Sequence, residues 1–319
     1  VGDLGQRAAQ TELGGDGGVP QSDTIATGDG APSALPYVIN DTAQDGCYDE
    51  TGTMTCPAAG ATFFGQDSQY GGTAMSFRDN GDDTVTDLRT GLMWQKARGS
   101  MVTWDAAMAG AKTFDLAGHT DWRMPTIKEL YSLIDFRGAS APTAEASIPY
   151  LDPVFEIAFG DTSAGQRLID AQDWSATEYV STTMNGDATV FGVNFIDGRI
   201  KGYGKIHPQD GPKKLYVRYV RDSAAYGKND FADNGDGTVS DRATGLMWQK
   251  ADAGKAMRWK DALAYCEGLS LGNKDDWRLP NAKELQSIVD YSRAPTVTNS
   301  AAIDPIFSVT EIESYYWSS

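Results

Sequence analysis

The pattern of apolar and polar positions divides the chain into unlike stretches. Residues 1–36, VGDLGQRAAQTELGGDGGVPQSDTIATGDGAPSALP, carry no apolar period and are rich in Gly, Pro, Ser, Thr and Asp. Such a stretch buries too little surface to offset its conformational entropy, which predicts a flexible or extended arm. In FRDNGDDTVTDLRTGLMWQ (77–95) an Asn-Gly pair lies between two short β-prone runs, the signature of a tight hairpin, and TGLMWQ reads as a buried strand. Ala, Met, Leu and Phe at helical spacing predict a helix over about 103–113. An extended DWR-x-P connector comes next. Thr126-x-x-Glu129 then forms a capping box for a second helix, KELYSLIDF (128–136). After Trp174, the runs YVSTT, ATVFGVNFIDGRI and LYVRYVRD alternate apolar with polar residues and turn at Asn185-Gly186 and Asp197-Gly198, which predicts β-hairpins.

These elements occur twice. FRDNGDDTVTDLRTGLMWQKA (77–97) recurs as FADNGDGTVSDRATGLMWQKA (231–251), LDPVF (151–155) as IDPIF (303–307), and DWSAT (173–177) is echoed by YWSS (316–319). The offset is 154 residues from Phe77 to Phe231 and 155 from Trp122 to Trp277. The second copy repeats the helices at 258–268 and at KELQSIVDY (283–291), the latter behind the capping box Asn281-x-x-Glu284. A period this long is not that of a solenoid, so each copy is expected to be a whole α+β domain of two helices on a small, mostly antiparallel sheet. The expected organisation is the arm 1–36, a lead-in 37–76, domain one 77–222 and domain two 223–319. Copy two has no counterpart to the roughly 45 residues after Thr177, so its sheet is expected to lack its last strands and to present an open edge. Continuation of the chain, clipping, and strands supplied by a neighbouring subunit are the three explanations.

Charge and cysteine usage narrow the function. With 27 Lys+Arg and 44 Asp+Glu the net charge is -17, which makes nucleic acid and anionic membrane surfaces poor partners. The acidity is uneven: residues 1–76 hold 10 acidic residues and one basic (net -9), 77–222 hold 20 and 16 (net -4), and 223–319 hold 14 and 10 (net -4). No run of 18 apolar residues exists, so no membrane span is expected. Two histidines (His119, His207) and three cysteines leave little material for a zinc or haem site or a nucleophile relay, so catalysis is disfavoured. His119 faces Lys274 in copy two and reads, with His207, as a loop residue. Cys47 and Cys56, in CYDETGTMTC, have the spacing of a small hairpin closed by a disulfide, with two buried free thiols as the alternative. The chain begins without Met or a leader, which reads as a mature exported chain whose signal peptide is gone.

DNGDGTVxDxxTGLMWQ, DWRLPxxKEL, IDPxF, YWSS and a closing VRxVR resemble the family named after the C-terminal domain of collagen-like bacterial adhesins (the Lcl C-terminal domain). CYDETGTMTCPAAGATFFGQDSQY resembles the lead-in found before such domains. The resemblance covers about residues 45–319 and implies tandem C-type-lectin-like domains. It also implies export to the cell surface or periplasm, and adhesive or ligand-binding roles. In the family the cysteine matching Cys266 usually pairs with one in the closing strand. Copy one has Ala111 and Tyr219 at these positions, and Cys266 has no visible partner. The oxidase chemistry of the related formylglycine-generating enzymes needs a cysteine pair that copy one lacks, so that activity is not carried over.

Several residues are candidates for a site. Asp79, Asn80, Asp82 and Asp87, with Asp233, Asn234, Asp236 and Asp241, offer hard oxygen ligands for Ca²⁺, against a reading as hairpin tips held by Asx turns. Trp122-Arg123, Trp277-Arg278, Trp174 and Trp317 are either core or a sugar-binding surface, and Arg123 and Arg278 are expected to hold a carboxylate such as Asp135 or Asp290. Lys201, Lys205, Lys213, Lys214, Arg218 and Arg221 form a candidate basic patch. The expected function is a non-catalytic exported module that binds a protein or glycan surface. The alternative is a structural subunit of an extracellular filament that exchanges strands or arms with copies of itself.

Overall fold

A computed structural model describes residues 35–183, 186–207 and 211–319; residues 1–34 of the expected arm, and Asn185 of the expected Asn185-Gly186 turn, lie outside the described residues. Leu35–Ser319 form one compact unit. Strands β1 (Cys47–Tyr48) and β2 (Thr53–Met54) make a hairpin that a Cys47–Cys56 disulfide closes. Copy one continues with β3 (Phe77–Asp79), β4 (Thr84–Asp87), β5 (Met93–Gln95), β6 (Val102–Thr103), α1 (Trp104–Ala111), α2 (Ile127–Ser132), β7 (Gln172–Thr183) and β8 (Asp187–Asn194). It closes with β9 (Arg199–Gly204), β10 (Ile206–His207), β11 (Gly211–Pro212), β12 (Lys214–Leu215) and β13 (Val220–Arg221). Copy two holds β14 (Phe231–Asp233), β15 (Thr238–Asp241), β16 (Met247–Gln249), α3 (Trp259–Glu267), α4 (Ala282–Ser287) and α5 (Pro295–Thr298). The fold is a mixture of small antiparallel sheets and few helices. The largest sheets run β13-β5-β4-β3, β7-β8-β9 and β14-β15-β16.

Local chemistry explains the repeated elements. Gly81 and Gly235 adopt φ of 76° and 77° at the two hairpin tips, a conformation that glycine reaches at no steric cost. Thr103 caps α1 by accepting from the Ala106 N–H at 3.2 Å. Its counterpart Arg258 has no oxygen to offer and pairs instead with Asp261 at 2.8 Å. Both capping boxes form reciprocally: Thr126 and Asn281 accept from the Glu129 and Glu284 N–H, and each glutamate takes the N–H of its cap. α2 and α4 then stop at Ser132 and Ser287, short of the expected 136 and 291. In α2 the cause is tertiary. The Asp135 and Phe136 N–H groups donate to the Tyr150 and Thr42 carbonyls, which replace the next helical acceptors.

The largest core cluster gathers Val85, Leu92, Trp94, Leu130, Ile134 and Phe195 of copy one, and it also takes in Tyr37, Tyr226 and Ala243 from beyond that copy. A second cluster packs α1 against Trp122, Trp174 and Tyr203. Copy two has a smaller cluster of Ala262, Leu263 and Leu279, and Phe63 of the lead-in packs against it.

Candidate functional site in the cleft between the copies

The copies meet across α2 and α4 through a reciprocal exchange. Lys128 on α2 donates to the Ser287 carbonyl at 2.6 Å, and its counterpart Lys283 on α4 donates to the Ser132 carbonyl at 3.0 Å. Both ammonium groups are otherwise satisfied: Lys128 by Asn229 Oδ1 and the Gly227 carbonyl, Lys283 by the Asp41 carbonyl at 2.8 Å. Burial pushes Lys128 down to about 8 and Lys283 down to about 7.

A second pseudo-twofold pair comes from Tyr37-x-x-Asn40 and Tyr226-x-x-Asn229. Asn40 donates to Asp87 at 2.8 Å and Asn229 to Asp241 at 2.8 Å, so each asparagine anchors in its own copy. The tyrosines cross over. Tyr37 hydrogen-bonds the Ala243 carbonyl through its N–H, Tyr226 lies buried among copy-one residues, and the two rings meet at 4.9 Å. The interface therefore has the isologous logic of a symmetric dimer.

The segments after the two asparagines break this symmetry. Asn40 and Phe77 are 37 positions apart and Asn229 and Phe231 two, so the first copy carries 35 extra residues between equivalent points. The extra segment packs onto copy two. Phe63 lies 5.9 Å from Trp259, Glu50 pairs with Lys260 at 2.5 Å, the Tyr70 hydroxyl donates to Glu267, and the Tyr70 ring sits 5.5 Å from the Arg278 guanidinium. Asp67 accepts from the Thr42 hydroxyl and lies beside Asn281 and Glu284; burial first of all raises its carboxyl above the usual range. The equivalent surface of copy one stays open as a cleft of about 590 Å³, walled by Arg123, Thr126, Lys128 and Thr177, by Ala224 and Tyr226 to Asn229, and by Ile288 to Tyr291 with Asp304.

The expected site residues separate into those the fold commits elsewhere and those it brings to the cleft. Arg123 and Arg278 do hold carboxylates, but those of Glu129 (2.6 and 2.8 Å) and Glu284 (2.5 and 2.7 Å), not Asp135 or Asp290. Asp135 is taken by Arg137, and Asp290 by Ser292. The signal was present in the sequence: each arginine is followed six residues later by its capping-box glutamate.

The eight oxygen donors do not gather. Asp79 pairs with Lys96 at 2.7 Å and takes the Gly81 N–H; Asp233 does the same with Lys250 at 2.5 Å and Gly235. Asp82 and Asp236 accept from Thr84 and Thr238, and Asn80 and Asn234 bridge the strands behind. Asp87 and Asp241 lie about 10 Å of strand away from the tips and anchor the asparagines. Among the described residues no group of three or more His, Cys, Asp or Glu is arranged to hold a metal ion.

Trp122 and Trp174 are buried, Trp277 is half-buried and Trp317 is 53% exposed. The expected basic patch is dispersed. Arg218 is fully buried and donates to the Gln95 and Glu156 carbonyls, while Lys201, Lys205 and Arg221 pair with Asp197, Glu178 and Asp121. Lys213 lies over the Tyr203 ring, and Lys214 is exposed. His119 sits in a loop, bridged through its backbone to Leu116. Cys266 is a free, half-buried thiol that burial pushes up to about 11. In copy one the Tyr219 hydroxyl reaches the Ala107 carbonyl at 2.8 Å, so a buried tyrosine binds helix α1 where a disulfide is absent. The reciprocal lysines and the crossed tyrosines carry no signal of their own in the sequence, because their partners are main-chain carbonyls and residues of the other copy.

The family described as the Lcl C-terminal domain matches residues 83–221 and again 237–319. No curated protein and no solved structure matches the chain.

Proposed function

The chain belongs to the Lcl C-terminal domain family, and from that premise we propose that it is an exported, adhesin-related surface module that binds a protein or glycan surface without catalysis. Its copies are read as two tandem C-type-lectin-like domains, 77–222 and 223–319. The observation that carries the reading is the open cleft built jointly by both copies. Its charged groups are already committed within the fold, Arg123 to Glu129 and Lys128 to three acceptors, so they serve to hold a shape more than to react. The Cys47–Cys56 disulfide is compatible with export, and no helix among the described residues is long and apolar enough to cross a membrane.

The test is retention of labelled protein on glycan arrays and on immobilised cell-surface protein, compared with Ala224→Trp, which fills the cleft from an exposed position. Retention that falls with Ala224→Trp supports the reading; no retention, or retention indifferent to the substitution, contradicts it. A second reading, a subunit of an extracellular assembly, is favoured by Tyr315, Tyr316 and Trp317, which stand 99%, 48% and 53% exposed in one run. A sedimentation series in which the protein stays monomeric at high concentration removes it.

A further inference from the structure

We infer that the open cleft docks a polypeptide loop of a partner protein, one that presents a main-chain carbonyl, a carboxylate and an aromatic ring. This rests on reading the cleft as the binding site, and it names the occupant's chemistry. The filled counterpart of the cleft shows what such receiving groups take. There the extra segment delivers the Asp41 carbonyl to Lys283 at 2.8 Å and the Thr42 carbonyl to the Phe136 N–H at 2.9 Å. It also sets the Asp67 carboxylate beside Asn281 and Glu284 and the Tyr70 ring over Arg278.

The open cleft repeats three of the receiving groups: Tyr291 for Phe136, Thr126 for Asn281 and Arg123 for Arg278. The fourth, Lys128, already spends its N–H groups on Ser287, Gly227 and Asn229 of this chain and only walls the cleft. Among the described residues the Tyr291 N–H has no backbone partner, whereas the Phe136 N–H takes Thr42. Arg123 is locked to Glu129 as Arg278 is to Glu284, and its side chain remains 35% exposed. The chain's own segment is not free to fill this cleft, because Phe63, Tyr70 and Glu50 hold it on copy two. Copy two supplies no replacement, since Asp230 leads directly into β14. A main-chain N–H left open where its twin takes a main-chain carbonyl is backbone recognition, the mode by which a polypeptide docks.

The probe is a synthetic peptide of residues 41–76, oxidised at Cys47–Cys56 and added to the intact protein, with binding followed by calorimetry. The expected result is saturable one-to-one binding that falls at least tenfold in Ala224→Trp and in Lys228→Glu, both exposed cleft positions. Peptides carrying Asp67→Asn or Tyr70→Ala are expected to bind at least fivefold more weakly. Absence of saturable binding at millimolar peptide overturns the inference, and so does binding that both protein variants leave unchanged. Surface retention that depends on Ala224 while the peptide fails to bind leaves the binding-module reading standing and removes the polypeptide occupant. Peptide binding in the cleft with surface retention unaffected does the reverse.

Discussion

In copy one the Trp174 indole donates to the Val102 carbonyl at 2.9 Å, and the Trp104 indole donates to the Ser175 carbonyl. In copy two Trp317 donates to the Met257 carbonyl at 2.9 Å and Trp259 to the Ser318 carbonyl, the same cross-bonding at equivalent positions. Yet Trp174 is 0% exposed and Trp317 is 53%. Over Trp174 lie Val190 and Tyr203, on β8 and β9. Among the described residues copy two has no strands equivalent to these. The hydrogen-bond pattern travels with the motif, whereas burial depends on what packs over it. In copy two the added packing falls elsewhere: Phe63 lies on Trp259 and the Ala262, Leu263 and Leu279 cluster, and Tyr70 on Arg278, both from residues that precede copy one in the chain.

The sharpest way to break this comparison is a matched pair of truncations. Trp174→Ala is expected to cost about 3–5 kcal/mol, as for a buried tryptophan, while Trp317→Ala costs about 1 kcal/mol or less. Urea unfolding of each variant measures the difference; equal losses mean that burial does not separate the copies. A smaller effect comes from the lysines that join them. Burial holds Lys283 at about 7, against an ordinary value of 10.5, so between these pH values the unfolded chain binds the extra proton. Stability should therefore rise with pH, by on the order of 1 kcal/mol per unit. The trend is readable between about pH 8 and 9.5. Higher up it reverses, because burial raises Tyr226 and Tyr37 well above the range in which unfolded tyrosines lose their protons. Lys283→Met should cut the slope by about half in urea titrations across that window, because Lys128, held at about 8, contributes there too. An unchanged slope places the proton elsewhere. The smallest effect lies at a hairpin tip. Asp83 holds φ of 66° where copy two has Gly237 at 88°. Asp83→Gly is expected to shift stability by no more than about 1 kcal/mol, in the stabilising direction, because relieving the strain outweighs the added chain entropy. A clear destabilisation by calorimetry contradicts this.

How much of the molecule was legible in the sequence depends on the range of each interaction. The hairpin tips, the disulfide and the capping boxes are written in residues within ten positions of one another, and all stand as read. The ends of α2 and α4 are not legible locally, because the N–H groups that follow them turn to distant carbonyls: Asp135 and Phe136 to Tyr150 and Thr42, and Asp290 to Ala302. The arginine partners were assigned to aspartates further along, although the capping glutamates were nearer. Arg218 looked like a surface charge because alternation in VRYVR does not show that a strand is covered on both faces. Tyr37-x-x-Asn40 does not stand out as a repeat for a numerical reason: it lies 189 residues from its twin, while the rest of the repeat lies 154 or 155 away. The same discrepancy marks the extra segment, and with it the reason that one receiving surface is filled and its counterpart open.

That asymmetry is tested most directly by hydrogen–deuterium exchange of the intact protein against Phe63→Ala. Phe63 stands before copy one in sequence but packs on Trp259 and on the Ala262, Leu263 and Leu279 cluster of copy two, which Cys266 also packs against. The account predicts faster exchange in α3 and α4 and quicker labelling of Cys266, with β3–β5 and α1 unchanged. Faster exchange confined to β3–β5 or α1, with α3 unaffected, would contradict it.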